Sequence, residues 1–262
     1  MKANRIVVKV GSNILTRSNG HLDITRMSSL VDQIAALRES GYEVILVTSG
    51  AVACGRGEFA AEMHSDKHLD SVEQRQLFSA MGQAKLIDQY YGLFREYGIH
   101  VGQVLTTKDN FLEERMYNNQ KACMGIMLEN GVIPIVNEND TVCVTELMFT
   151  DNDELSGLIA EMLGASTLIL VSNIDGIFTG SPEDPSSTLI RKVRPGDDLS
   201  SFIKEEKSGF GRGGMISKCS TARNAAAKGI RVIIANGKVP GILTRLILEQ
   251  EDLPHTEFLP TL

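Results

Sequence analysis

The chain has 262 residues, 42% apolar and 23% charged, with 26 Lys and Arg against 33 Asp and Glu for a net charge of −7. This is ordinary globular usage: it provides a core for one large domain or two fused lobes and excludes global disorder. The acidic balance excludes general binding to a nucleic-acid backbone, and the longest uncharged stretch, Met162 to Ile174, is too short to span a bilayer, so neither a nucleic-acid nor a membrane partner is expected.

Residues 6–10 form an almost continuous apolar run, the pattern of a strand buried on both faces, interrupted by Lys9. In residues 23–40, Ile24, Met27, Leu30, Val31, Ile34 and Leu37 make one stripe near a 3.6 period, which predicts a helix capped by Asp23 and stopped by Gly41. A strand at 44–47 runs into Thr48-Ser49-Gly50-Ala51. Helical spacing over 71–97 ends at Gly98, a strand follows at 101–105, and a second helix over 115–130 ends at Gly131. The strand at 132–136 runs into Asn137-Glu138-Asn139-Asp140, and a helix over 152–163 ends at Gly164. The strand at 168–171 runs into Ser172-Asn173. Residues 178–199, rich in Pro and Ser, read as a long excursion or small hairpin, and 204–214 as a mobile Gly-rich loop. A helix over 215–228 ends at Gly229, before a last strand at 232–235. Strands alternating with helices require parallel pairing through crossovers, hence an α/β layered sheet.

Several features carry no chemistry of their own. A lysine so close behind Ile6-Val7-Val8 rules out a signal-peptide core. Cys54, Cys123, Cys143 and Cys219 lack metal-type spacing and read as small buried hydrophobes of a reducing cytosol. His64 and His68 could share a helix face, but no third zinc ligand lies near. Arg191-Lys192-Val193-Arg194 reads as a solvated loop.

The chemistry gathers where the strands end, the edge at which parallel sheets bind ligands. Lys9 either pairs with a core carboxylate or reaches a bound anion, with Gly11 permitting close backbone approach. Ser49-Gly50-Ala51 is either a tight turn or, if a helix follows, an anion pocket of free N–H groups. Asn137 to Asp140 is either a polar turn or a binding segment, and Asp151-Asn152-Asp153 either a helix cap or a site. Gly209 to Gly214 satisfies G-x-G-x-x-G, but no strand precedes it and no acidic residue follows at the dinucleotide spacing. Lys218 instead falls in the first turns of a helix, against the helix dipole, where a phosphate held by the glycine loop would reverse the penalty. Two lysines, two acidic clusters and two anion cradles are what phosphoryl transfer between anionic partners needs, with an aspartate between the lysines holding them in place.

Val7 to Ser12, Val47 to Ala51, Gly98 to Gln103, Pro134 to Asp140, Asp151 to Asp153 and Gly213 to Lys218 together, in this order, resemble the amino-acid kinase family, and within it the branch that phosphorylates glutamate. The resemblance implies an αβα three-layer sandwich around a mainly parallel sheet. It implies a single domain over 1–262, with an acceptor lobe at about 1–165 and a nucleotide lobe at about 166–262. ATP and Mg²⁺ would be used to phosphorylate the γ-carboxylate of L-glutamate, the first step of proline biosynthesis, with proline as an inhibitor, in a cytoplasmic homodimer or homotetramer. Lys9, Lys218 and Asp153 are the implied catalytic residues. Ser49, Gly50, Ala51, Asp140 and Asn152 are the implied glutamate site. Lys9, Gly11, Ser172, Asn173, Arg212, Gly213, Gly214, Met215, Ile216, Ser217 and Lys218 are the implied nucleotide site, while the metal ligands stay unknown. Ser172-Asn173 stands where Thr-Asp is expected, and Arg212 where Thr often precedes the paired glycines. Relatives often carry a further C-terminal RNA-modification-type (PUA) domain, and functions tied to it are expected to be absent from a chain that stops at Leu262. The alternatives are a sister kinase with another carboxylate, carbamate or nucleotide acceptor, and a non-catalytic amino-acid or nucleotide sensor.

Overall fold

A computed structural model describes residues 4–59, 69–142, 151–199, 202 and 214–261. His64, His68, Cys143, Arg212, Gly213 and nearly all of the 204–214 segment lie outside the described residues. The elements, in chain order, are β1 (Arg5–Val10), α1 (Ser12–Leu15), α2 (Ile24–Glu39), β2 (Glu43–Thr48), α3 (Ala51–Phe59), α4 (Ser71–Arg95), β3 (Val101–Thr106), α5 (Asp109–Leu112), α6 (Glu114–Glu129) and β4 (Ile133–Glu138). They continue with α7 (Asn152–Met162), β5 (Thr167–Ser172), β6 (Ile177–Phe178), β7 (Leu189–Ile190), β8 (Lys192–Val193), α8 (Met215–Ala227), β9 (Arg231–Asn236), α9 (Ile242–Ile247) and β10 (His255–Phe258).

Eight strands form one sheet in the order β3-β4-β2-β1-β5-β9-β10-β8. The first six are mutually parallel, β10 runs antiparallel to β9, and β8 pairs parallel to β10. Each face buries its own apolar cluster. Ile6, Val8 and Val10 of β1 pack with α2, α4 and α9, whereas Val7 packs with α6, α7 and α8. The result is the expected αβα sandwich. Side chains alternate along a strand, so Lys9 shares the face of Val7 and is aimed at α7 and α8.

The helix ends follow the sequence. The Asp23 carboxylate accepts from the Arg26 N–H at 3.2 Å to open α2, and Gly41 leaves that helix with φ of +88°, a conformation costly for any residue with a Cβ. Three expectations are corrected. β3 is the edge of the sheet and is only partly buried, because among the described residues no strand covers its outer side. Residues 191–194 are not a loop: Lys192 and Val193 form β8, and Arg191 is paired with Asp252 and the Leu253 carbonyl. Cys123 is exposed on α6, whereas Cys54 and Cys219 are buried as expected. The 178–199 segment does contain a hairpin, β6 with β7, before it returns to the main sheet.

Candidate active site

β1 is flanked by β2 on one side and β5 on the other, so the chain order reverses there, and a crevice opens beyond the carboxyl ends of these strands. The crevice is a cavity of about 780 Å³. Its walls include Lys9, Gly11, Ser49, Gly50, Ala51, Asp140, Asn152, Ser172, Asn173, Gly214, Met215 and Lys218, twelve residues singled out from the sequence. Asp153 lies beneath the floor, fully buried. Ile216 and Ser217 are not brought into the cavity wall, and the Ile216 side chain is exposed, because the first turn of α8 presents Met215 and Lys218 inward instead.

The centre of the site is one carboxylate between two ammonium groups. Lys9 Nζ lies 2.6 Å from Asp153 Oδ1, and Lys218 Nζ donates to Asp153 Oδ2 at 2.7 Å. Lys9 therefore pairs with a core carboxylate, the first of its two readings, and it also lines the cavity. Burial pushes the Asp153 carboxyl up, but the Lys9 and Lys218 charges outweigh it and hold the group below the usual carboxylate range. Two cations on one anion leave this trio with a net charge of +1, beside the Asp151 carboxyl, which also lines the cavity. The same pair answers the dipole penalty at α8: Asp153 stabilises Lys218, and the N-cap, Gly214, offers no side-chain cap of its own.

α7 fixes this carboxylate. Asp151 caps the helix, its Oδ1 accepting from the N–H groups of Asp153 at 2.9 Å and Glu154 at 3.0 Å. Burial and the neighbouring Asp153 charge raise the Asp151 carboxyl above its ordinary range. Its Oδ2 is buried without a well-aligned hydrogen bond among the described residues, although the Ser217 hydroxyl at the start of α8 lies near enough to this carboxyl to favour its charged form. Asn152 Nδ2 reaches the Thr48 carbonyl at 2.7 Å, Ser49 Oγ at 2.9 Å and Asn137 Oδ1 at 2.9 Å, tying the ends of β2 and β4 to α7. Between β2 and α3 the chain turns at Gly50, with φ of +98°, and α3 does follow, its first residues Ala51, Val52 and Ala53 lining the cavity beside Ser49.

Sequence reasoning missed Arg75. On α4 it reads as one more charge on a solvated helix face, yet its Nε donates to Asp140 Oδ1 at 2.6 Å and its terminal nitrogen to Glu138 Oε2 at 2.7 Å. All three side chains are largely buried, at 15%, 4% and 8% exposure for Arg75, Glu138 and Asp140. Two carboxylates two residues apart at a buried strand end need a cation, and that need was the available signal. Burial raises the Asp140 carboxyl above its ordinary range despite the Arg75 charge. The Asn137 amide donates to Gln83 Oε1 at 2.8 Å, bracing the end of β4 against α4.

Comparison with known proteins agrees with this geometry. The model of the Amino acid kinase family matches residues 4–236. The chain is 63% identical over 257 residues to a glutamate 5-kinase of Bacteroides thetaiotaomicron, covering 98% of this chain and 70% of that protein. It is 49% identical over 240 residues to a glutamate 5-kinase of Chlorobaculum tepidum, covering 91% of this chain and 65% of that one. Among solved structures, carbamate kinase from Giardia lamblia bound to AMP-PNP superposes with a TM-score of 0.71 at 15% identity, over 99% of both chains. A parallel sheet with its crevice at the β1 switch, two lysines joined through an aspartate, and a family match over most of the length lead to one conclusion: the chain belongs to the amino acid kinase family.

Proposed function

We propose that the chain transfers the γ-phosphoryl group of ATP to the γ-carboxylate of L-glutamate, giving L-glutamyl 5-phosphate, the first step of proline biosynthesis. The observation that carries this reading is the convergence of Lys9 and Lys218 on Asp153 at the wall of one cavity. A γ-carboxylate oxygen attacks the γ-phosphorus, an O–P bond forms, the bond to the bridging oxygen breaks, and ADP leaves. Charge spreads over the transferring group in this step, and two fixed ammonium groups facing it lower the barrier without covalent chemistry. Asp153 acts as the positioning residue that keeps both ammonium groups aimed at one point.

In this reading Ser49, Gly50, Ala51 and Asn152 hold the γ-carboxylate near the lysines, and Asp140 takes the substrate ammonium. Gly11, Ser172, Asn173 and the start of α8, with Arg212 and Gly213 from the segment outside the described residues, hold the nucleotide. The acceptor lobe is then about 1–165 and the nucleotide lobe about 166–262. Among the described residues no group of three or more His, Cys, Asp or Glu could hold a metal unaided. The buried Oδ2 of Asp151, which lacks a well-aligned hydrogen bond among the described residues, fits a hard cation, so Asp151 would hold Mg²⁺ together with phosphate oxygens. When bound, Mg²⁺ would neutralise phosphate charge. Proline, which also carries an ammonium and a carboxylate, would inhibit at a site overlapping that of glutamate. A cytoplasmic homo-oligomer completes the reading; among the described residues no helix is long and apolar enough to cross a membrane.

Incubation with ATP, Mg²⁺ and L-glutamate tests the reaction, with ADP release and trapping of the acyl phosphate by hydroxylamine as readouts. Turnover with another acid or a nucleotide and none with glutamate would assign a sister activity. Ligand binding without turnover of any acceptor would favour a sensor.

A further inference from the structure

We infer that Arg75 is the specificity-determining receptor for the α-carboxylate of the acceptor, reached by an exchange of ion pairs with Asp140. The inference rests on the reading of glutamate as acceptor and names which group recognises its α-carbon end.

Arg75, Glu138 and Asp140 all line the cavity, and one guanidinium serves both carboxylates. The trio carries a net charge of −1. A zwitterionic α-amino acid head is the complement of the Arg75–Asp140 pair: its ammonium replaces the guanidinium at Asp140, and its α-carboxylate replaces Asp140 at the guanidinium. Every buried charge keeps a partner throughout, because Glu138 holds Arg75 while Asp140 is released. A dicarboxylate without the ammonium leaves Asp140 buried without a cation. An amine without the α-carboxylate gives Arg75 nothing for the Asp140 contact it surrenders. Rejection by unpaired buried charge is the stronger form of selectivity.

The scaffold holds the device still. α4 opens with a capping box in which Asp70 accepts from Glu73 N–H while the Glu73 carboxylate accepts from Asp70 N–H, one turn before Arg75. A Cβ on Gly82 of α4 would overlap the Ala51 carbonyl of α3, so the two helices touch at the backbone. Arg75 is thereby fixed relative to the Ser49-Gly50 turn, which receives the other carboxylate. Arg56, another guanidinium on the cavity wall, does not compete for the role: it is exposed and lies over the Phe78 ring at 5.6 Å.

The test is steady-state kinetics with two acceptors, L-glutamate and its 1-amide, which keeps the ammonium and the γ-carboxylate but lacks the α-carboxylate charge. Arg75→Gln is expected to raise the KM for glutamate by about 10- to 100-fold with kcat within about threefold, the loss of one charge-assisted contact. Its kcat/KM for the 1-amide should hold or rise, because no guanidinium is left to surrender an Asp140 contact, so the variant loses discrimination between the two acceptors. Arg75→Lys, which keeps the charge but not the fork, should recover part of the preference for glutamate. Equal losses on both acceptors, or a loss confined to kcat, would overturn the inference. Should Arg75→Gln not fold, the same ratio of acceptors is read in Arg75→Lys, and an unchanged ratio there overturns it. Absence of glutamate turnover in the unsubstituted protein would instead refute the acceptor assignment itself, and this inference with it.

Discussion

Asp153→Asn changes one atom and one charge at the centre of the site. The side chain is fully buried, and the Lys9 and Lys218 side chains beside it are 6% and 12% exposed. Removing the charge strands two ammonium groups that now face each other across a neutral amide. Breaking a buried pair by deleting one partner costs about 3–5 kcal/mol. At about 2–4 °C per kcal/mol for a chain of this size, Tm falls by about 6–20 °C. The two stranded cations form an anion site, so sulfate should raise the Tm of the variant more than that of the parent protein. Turnover should fall by at least about 100-fold, because each lysine loses the group that aims it. Scanning calorimetry with and without sulfate, and the ADP-release assay on the folded variant, measure these effects. A Tm within about 2 °C of the parent with near-normal turnover would refute the idea that Asp153 organises the site.

Lowering the pH separates two carboxyls shifted in opposite directions. Asp140 is raised, so its contribution to stability is present below its unfolded pKa and lost as pH rises through its folded one; on acidification it protonates early, without loss of stability. Asp153 is lowered, so its stabilising pairs persist above its unfolded pKa and are lost only as pH falls through its depressed folded value. Glutamate KM should therefore rise on acidification before the fold is lost, and Asp140→Asn should flatten that rise. Coincident loss of affinity and fold would contradict the assignment of Asp140. Gly82→Ala should displace α3 from α4, because the new Cβ would collide with the Ala51 carbonyl; the expected result is a marked loss of Tm and of glutamate affinity, and wild-type behaviour would show that this helix contact does not position the acceptor turn.

Much of the fold was legible because strands covered on both faces must be apolar along their length, and residues 6–10, 44–47, 168–171 and 232–235 are, except at Lys9. That single exception pointed to the site, since a buried ammonium requires a partner. The edge strand β3 misled because Val101, Val104 and Leu105 suggest a buried strand, although Gln103, which is exposed, was a local sign of an open edge. β8 and β10 were hidden because short strands at a sheet margin owe their pairing to distant residues rather than to their own pattern. Glu138 and Asp140 called for some cation, but not for Arg75 in particular: it lies 63 and 65 residues away in sequence, and a charge on an amphipathic helix looks solvated until the fold covers it.

The most direct measurement is a crystal structure with ADP, an aluminium fluoride mimic of the transferring phosphoryl group, and L-glutamate. The expected result is both Lys9 Nζ and Lys218 Nζ within about 3 Å of the fluoride group, each still touching Asp153. A structure with either ammonium turned away from the mimic, or with the mimic bound elsewhere in the cavity, would contradict the claim that these two cations act on one phosphoryl group.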